Sequence, residues 1–119
     1  MNLGLSQKRY QLEIPQLVWE EFFEHFTEDN RGRPITLRIM DQQVGHFDLL
    51  RGTPLHSVIY ELPDHGNDLV VAVSRELRSR EVTFAHTIVY PQSITLITDD
   101  DGLVLSCIVT DDDNAQTVI

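Results

Sequence analysis

The feature that most constrains this chain is a strict two-residue alternation between Glu81 and Pro91. Alternation that is rich in β-branched and aromatic residues is typical of a strand with one buried face. Proline cannot donate to a strand ladder, so Pro91 ends the strand. We therefore predict that residues 81–90 form the central strand of an antiparallel sheet, with His86 in the middle of its buried face. That face contains Val82, Phe84, His86, Ile88 and Tyr90.

The same period of two continues along most of the remaining chain, from residue 34 to residue 110. Its short runs are separated by turn residues, as at Arg51-Gly52-Thr53-Pro54 and at Asp99-Asp100-Asp101-Gly102. These connections are too short for the crossovers of about a dozen residues that parallel strands require. We predict a twisted antiparallel meander of six or seven strands over residues 34–110, open or curled into a half-barrel, and an acidic tail over residues 111–119.

One segment has helical rather than two-residue spacing, and it begins at Pro15. Proline is favourable at the first turn of a helix, where its missing N–H costs nothing. Apolar residues then recur on one face and glutamates on the other. The pattern predicts an amphipathic helix over residues 15–29, packed across the sheet and preceded by a lead-in over residues 1–13. The apolar face contains Val18, Trp19, Phe22, Phe23 and Phe26. The predicted fold class is therefore α+β, in a single domain over residues 1–119.

Composition narrows the classes of function. The chain has 119 residues, enough for one core, and nineteen acidic against nine basic residues give it a net charge of −10. Nucleic acids and anionic membranes both require Lys and Arg contacts, so we expect neither as a partner. No apolar run approaches the roughly 20 residues of a membrane span, and the start of the chain lacks a secretory signal pattern. We expect a cytoplasmic protein.

Motifs for catalysis are missing from the sequence. It contains no phosphate-binding glycine loop, no Gly-x-Ser-x-Gly and no Cys–His arrangement. A single cysteine, Cys107, excludes an intrachain disulfide, and its place on an apolar strand face predicts a buried thiol. The aspartate runs 99–101 and 111–113 do not fit a calcium loop, because the twelfth position counted from Asp99 is Thr110. We expect no metal and no cofactor.

His86 and His56 are the best candidates for a binding site. Both share a predicted strand face with apolar residues, so each ring is expected to be partly desolvated. If their strands are close, the two histidines form a polar spot in an apolar pocket, which is typical of a ligand site. The alternative is that each is a core histidine hydrogen-bonded to a backbone or hydroxyl group.

A cluster of arginines is the second candidate site. It consists of Arg75, Arg78 and Arg80, with Arg31 and Arg33 as possible additions. Guanidinium groups bind anions well, so this cluster is where an anion would dock. The alternative is that the neighbouring Glu76 and Glu81 pair with these arginines in salt bridges.

Two passages resemble a small bacterial family known only as a domain of unknown function, the 5335 family. The first is Ile14-Pro15 followed by the aromatic helix face, Gly32 and the strand Ile35–Ile39. The second is His86-Thr87-Ile88-Val89-Tyr90-Pro91. The resemblance covers residues 14–110 and implies a single-domain bacterial protein without an established activity. It implies no catalytic residues.

Two classes of function remain open. The leading hypothesis is a non-enzymatic interaction or regulatory module, which associates with a protein partner or with itself as a homodimer through a free sheet edge. The alternative is a small-ligand binder or minor enzyme whose pocket uses His86, with His56 or an arginine from the 75–80 segment.

Overall fold

A computed structural model describes residues 8–74 and 82–119. Within them, one helix and eight strands follow one another along the chain. They are β1 (Tyr10–Glu13), a 3-10 turn (Gln16–Val18), α1 (Trp19–Asn30), β2 (Pro34–Asp41), β3 (Gly45–Tyr60), a second 3-10 turn (Pro63–His65), β4 (Asp68–Val73), β5 (Phe84–Val89), β6 (Pro91–Thr98), β7 (Val104–Asp111) and β8 (Gln116–Val118).

The strands form one antiparallel sheet in the order β1-β6-β7-β8-β2-β3-β4-β5. The order begins with β1 and ends with β5, so the sheet is open over the described residues. The predicted α+β class is confirmed, with eight strands instead of six or seven and with a paired strand ahead of the helix. No helix in the described part of the chain is long and apolar enough to cross a membrane.

The helix and the sheet enclose one hydrophobic cluster. Trp19 and Phe23 of α1 are 2% and 0% exposed, and they pack with buried residues from six of the strands. The Trp19 ring meets the ring of Tyr60 edge-on, with centroids 5.2 Å apart, and its Nε1–H donates to the carbonyl of Ile14 at 2.7 Å. Both the apolar body and the polar tip of Trp19 are therefore satisfied.

The predicted turn at residues 51–54 is wrong, because β3 runs through it as one sixteen-residue strand. Three β3 residues oppose two on β2 here, since Ile35 pairs with Thr53 and Leu37 with Leu50. Gly52 takes a φ of +60°, which suits a β-bulge. Glycine and proline therefore bend this strand without ending it. The first part of β3 pairs with β2 and the last part with β4.

The strand predicted at the centre of the sheet, β5, lies at its end. Of its predicted buried face, Ile88 is 3% exposed, but Phe84 is 42% and Tyr90 is 52% exposed. Alternation shows that a strand has one more apolar face, and it does not show how many neighbours the strand has. Pro91 does end β5, and it is the first residue of β6.

The predicted acidic tail is also wrong. Residues 116–118 form β8, which is inserted between β7 and β2, and its Thr117 is 6% exposed. The acidic residues belong to the turn before β8, where the Asp111 carboxylate accepts hydrogen bonds from the backbone N–H groups of Asp113 and Ala115. Aspartates that close a turn look the same in a sequence as aspartates in a tail.

Candidate functional site

His86 lies on β5, opposite Val71 of β4, and its side chain is half-buried. Burial lowers the pKa of its imidazole below the ordinary value, because the charged ring loses water. Over the residues that the structure describes, no hydrogen bond to this ring is formed. The predicted partial desolvation is therefore present, without the hydrogen-bonded partner of a satisfied core histidine.

His56 does not join His86 in one site. It lies on β3, where its Nδ1 is 3.1 Å from the hydroxyl oxygen of Ser57. The strand β4 separates β3 from β5, so the two histidines are about 10 Å apart or more across the sheet. The condition for a shared polar spot, neighbouring strands, is not met.

Three surface cavities are lined by described residues, and His86 lines none of these three. One of about 400 Å³ lies beside Phe84 and Leu50, and one of about 410 Å³ lies between α1 and β3. The third, of about 340 Å³, lies between the start of β2 and the start of β7.

The predicted arginine cluster is only partly visible. Arg75, Arg78 and Arg80 lie outside the described residues. Arg31 and Arg33 follow the end of α1, where Arg31 Nε–H donates to the carbonyl of His56 at 3.1 Å and an Arg33 N–H donates to Asn30 Oδ1 at 3.1 Å. Neither has a carboxylate within 4.0 Å among the described residues. Their guanidinium groups keep donors for an anion.

Two other arginines are paired. Arg38 Nε and Arg51 Nε lie 2.8 Å and 2.6 Å from the two carboxylate oxygens of Asp48. The hydrogen bond from Arg38 and then that from Arg51 lower the pKa of Asp48. The arrangement joins β2 to β3 across the bulge.

Two remaining chemical groups have structural roles. Cys107 is fully buried, and burial raises the pKa of its thiol to about 12, so the reactive thiolate is disfavoured. The carboxylates of Asp111, Asp112 and Asp113 come within 4.8 Å of one another. Asp111 closes the turn before β8, and the other two are exposed to solvent.

The edge of β3 that faces away from β4 is sealed by α1 and the turn after it. The Thr27 hydroxyl accepts from the N–H of Val58 at 2.9 Å and donates to its carbonyl at 3.0 Å. Gly32 N–H donates to the carbonyl of Leu55, and Leu55 N–H donates to the carbonyl of Arg33. The helix thus replaces a neighbouring strand along this edge.

The outer edge of β5 has no such cover in the described part of the chain. The N–H of Tyr90 donates to the carbonyl of Asn67 on the β4 side. Because alternate residues of an antiparallel strand point to opposite sides, the backbone groups of Ala85, Thr87 and Val89 point outward. All three residues are exposed.

A second unpaired region is the gap beyond β8, which we call the slot. β8 and Ile119 pair with residues 38–40 of β2 and 107–110 of β7. Both neighbours extend farther, and residues 34–36 and 104–106 line the cavity of about 340 Å³ between them. The prediction of a tail over residues 111–119 hid this site, although the apolar end Val118-Ile119 was a signal for a strand.

The comparisons with known proteins add a family and no activity. Residues 10–119 match the model of a family described as a family of unknown function, DUF5335. No curated protein and no solved structure matches the chain. Since the match covers nearly all of the sequence, the chain belongs to the DUF5335 family.

Proposed function

We propose that this protein is a non-enzymatic, cytoplasmic interaction module and that the outer edge of β5 binds a second copy of the chain. The observation that supports this proposal is a strand edge with outward backbone groups and exposed apolar flanks. Phe84, Val89 and Tyr90 are 42%, 51% and 52% exposed. Proteins usually protect such an edge with lysine, proline, a bulge or a covering segment, and β5 itself contains no lysine, proline or bulge.

The sequence of β5 is complementary to itself in an antiparallel pairing about Thr87. In this register Thr87 opposes the partner's Thr87, and Ala85 opposes the partner's Val89. All three outward-pointing residues of the strand then exchange backbone hydrogen bonds, about six in total. Threonine pairs are favourable across strands. Pairing about His86 or Ile88 uses fewer of these residues.

Charge also favours this surface for self-association. The chain has a net charge of −10, so two copies repel each other at most orientations. With its histidine neutral, β5 carries no formal charge, and contact along this strand brings no carboxylates of β5 together. Added salt screens the remaining repulsion, so we expect the dimer to become tighter as ionic strength rises.

The experiment is sedimentation equilibrium over a range of protein and salt concentrations. Thr87→Lys places two like charges opposite each other at the symmetry axis and is expected to abolish the dimer. The matched control is Gln11→Lys, which adds the same charge to an exposed residue of β1 at the other end of the sheet. A monomer at every concentration, or equal weakening by both substitutions, would overturn the proposal.

Amide exchange locates the contact independently of the substitutions. The N–H of Thr87 is expected to exchange rapidly in dilute protein and slowly at concentrations where the dimer forms. A dimer in which Thr87 N–H still exchanges rapidly would place the contact elsewhere. The alternative function, a ligand pocket around His86, has less support because His86 lines none of the three cavities.

A further inference from the structure

The slot has the geometry of a missing piece of strand. β2 and β7 are both antiparallel to β8, so they run parallel to each other at twice the usual strand spacing, about 10 Å. On their other sides, residues 34–35 pair with β3 and residues 104–106 lie along β6. Only the space between the two strands is without a described strand beyond Ile119.

The register of β8 defines the positions in the slot. Val118 pairs with Arg38 and Ile108, and Ile119 exchanges two backbone hydrogen bonds with Cys107. Three further positions in the same direction fall opposite Thr36, Ile35 and Pro34 on β2. On β7 they fall opposite Ser106, Leu105 and Val104. These six residues all line the cavity. Three residues of strand span about 10 Å.

Backbone groups in the slot are available for pairing. Since Ile119 bonds to β7, Val118 bonds to β2, and the first position of the slot again faces β2. Thr36 therefore presents its N–H and C=O to that position. On β7, the ladder with β6 shifts register between Ile97 and Thr98, and a bulge of this kind leaves an extra residue outside the pairing.

The side chains around the slot set the chemistry of its occupant. The second position shares a sheet face with Ile35 and lies over Phe26, both of which pack in or against the core. An apolar side chain fits there. Past the third position the slot opens at Arg33, whose guanidinium has no carboxylate partner among the described residues. An acidic group is complementary to this end.

We propose that the slot binds the amino-terminal end of a polypeptide in an extended conformation, with an apolar second residue and an acidic fourth residue. The antiparallel direction is the one in which β8 already runs, so the bound segment begins next to Ile119 and leaves the sheet at Arg33. This site is separate from the β5 edge and does not rest on the proposed dimer.

The first experiment supplies the segment in the same chain. A variant with Thr-Val-Thr-Asp appended after Ile119 is compared with one that carries Gly-Pro-Gly-Asp, which has the same charge and cannot continue the strand. We expect the first extension to raise the melting temperature by roughly 4 °C or more relative to the second, because it binds only the folded state. Both are made in the Thr87→Lys background, so that dimer formation does not contribute. Equal melting temperatures would overturn the proposal.

The second experiment uses the tetrapeptide Thr-Val-Thr-Asp-amide as the probe and the Asn analogue as its control. NMR shifts are expected at the amides of Thr36 and Leu105, and the chain that carries its own strand extension should show none. Arg33→Gln should weaken the Asp peptide roughly tenfold and leave the Asn peptide unchanged. Shifts that centre on other residues would overturn the site, and equal weakening of both peptides would overturn the acidic fourth residue.

Discussion

The two outer edges of the strands β3, β4 and β5 differ in how their backbone groups are satisfied. Along β3, the Thr27 hydroxyl and the turn after α1 bond to Val58 and Leu55. Along β5, the outward groups around Thr87 have no partner in the described part of the chain. Both edges belong to the same antiparallel unit, so strand composition alone does not decide which one is covered.

The difference follows from where the helix can reach. Gly32 and Arg33 connect α1 to β2, and β2 pairs with β3, so the helix must pack beside β3. The other edge is two strands away, about 10 Å across the sheet. One helix seals one edge, and the second edge stays available for a partner.

The largest effect is expected from removing the packing of the helix over the sealed edge. Phe23 is fully buried, and Phe23→Ala should reduce the free energy of unfolding by about 3–5 kcal/mol. Trp19 remains in this variant and reports unfolding in urea through its fluorescence. Leu17→Ala is the control, since Leu17 is 98% exposed, and it should change stability by less than about 0.5 kcal/mol. Similar effects of the two substitutions would show that α1 does not seal the core.

An intermediate effect is expected from one substitution made at both edges. Thr27→Val keeps the shape of a buried side chain and removes the hydroxyl that satisfies both backbone groups of Val58. The loss should be about 1–3 kcal/mol, the cost of leaving buried groups without partners. Thr87→Val at the open edge should change stability by less than about 0.5 kcal/mol. Urea unfolding at low protein concentration compares the two, and equal losses would contradict the difference between the edges.

The helix was predictable from the sequence because aromatic residues spaced three and four apart share one face of a helix, whereas in a strand they would divide between both faces. Trp19 and Phe23 lie in the core as expected. The neighbours of each strand were not predictable. A strand such as β5 has the same alternating pattern at the end of a sheet as in its centre, since the pattern reports only its two faces.

Both candidate surfaces depend on those unpredicted neighbours. The slot exists because β8 is inserted between β7 and β2, a pairing between residues about 80 positions apart that no local pattern encodes. His86 was identified correctly as a partly desolvated histidine, but its relation to His56 depended on β4, which separates their strands.

The smallest effect is expected at His86, on the open side of the comparison. Burial lowers the pKa of this imidazole in the folded state, so the unfolded chain binds the proton more readily. Its contribution to stability is fully present above the unfolded pKa of about 6.5 and is lost as pH falls below that value. The loss is small, because the ring is only half-buried and water screens the charge. His86→Phe should reduce the fall in stability between pH 7 and pH 5, whereas His46→Phe, at an exposed position on β3, should not. Urea midpoints across this range measure both slopes. An NMR titration that places the pKa of His86 at or above about 6.5 would show that this face of β5 is open to water.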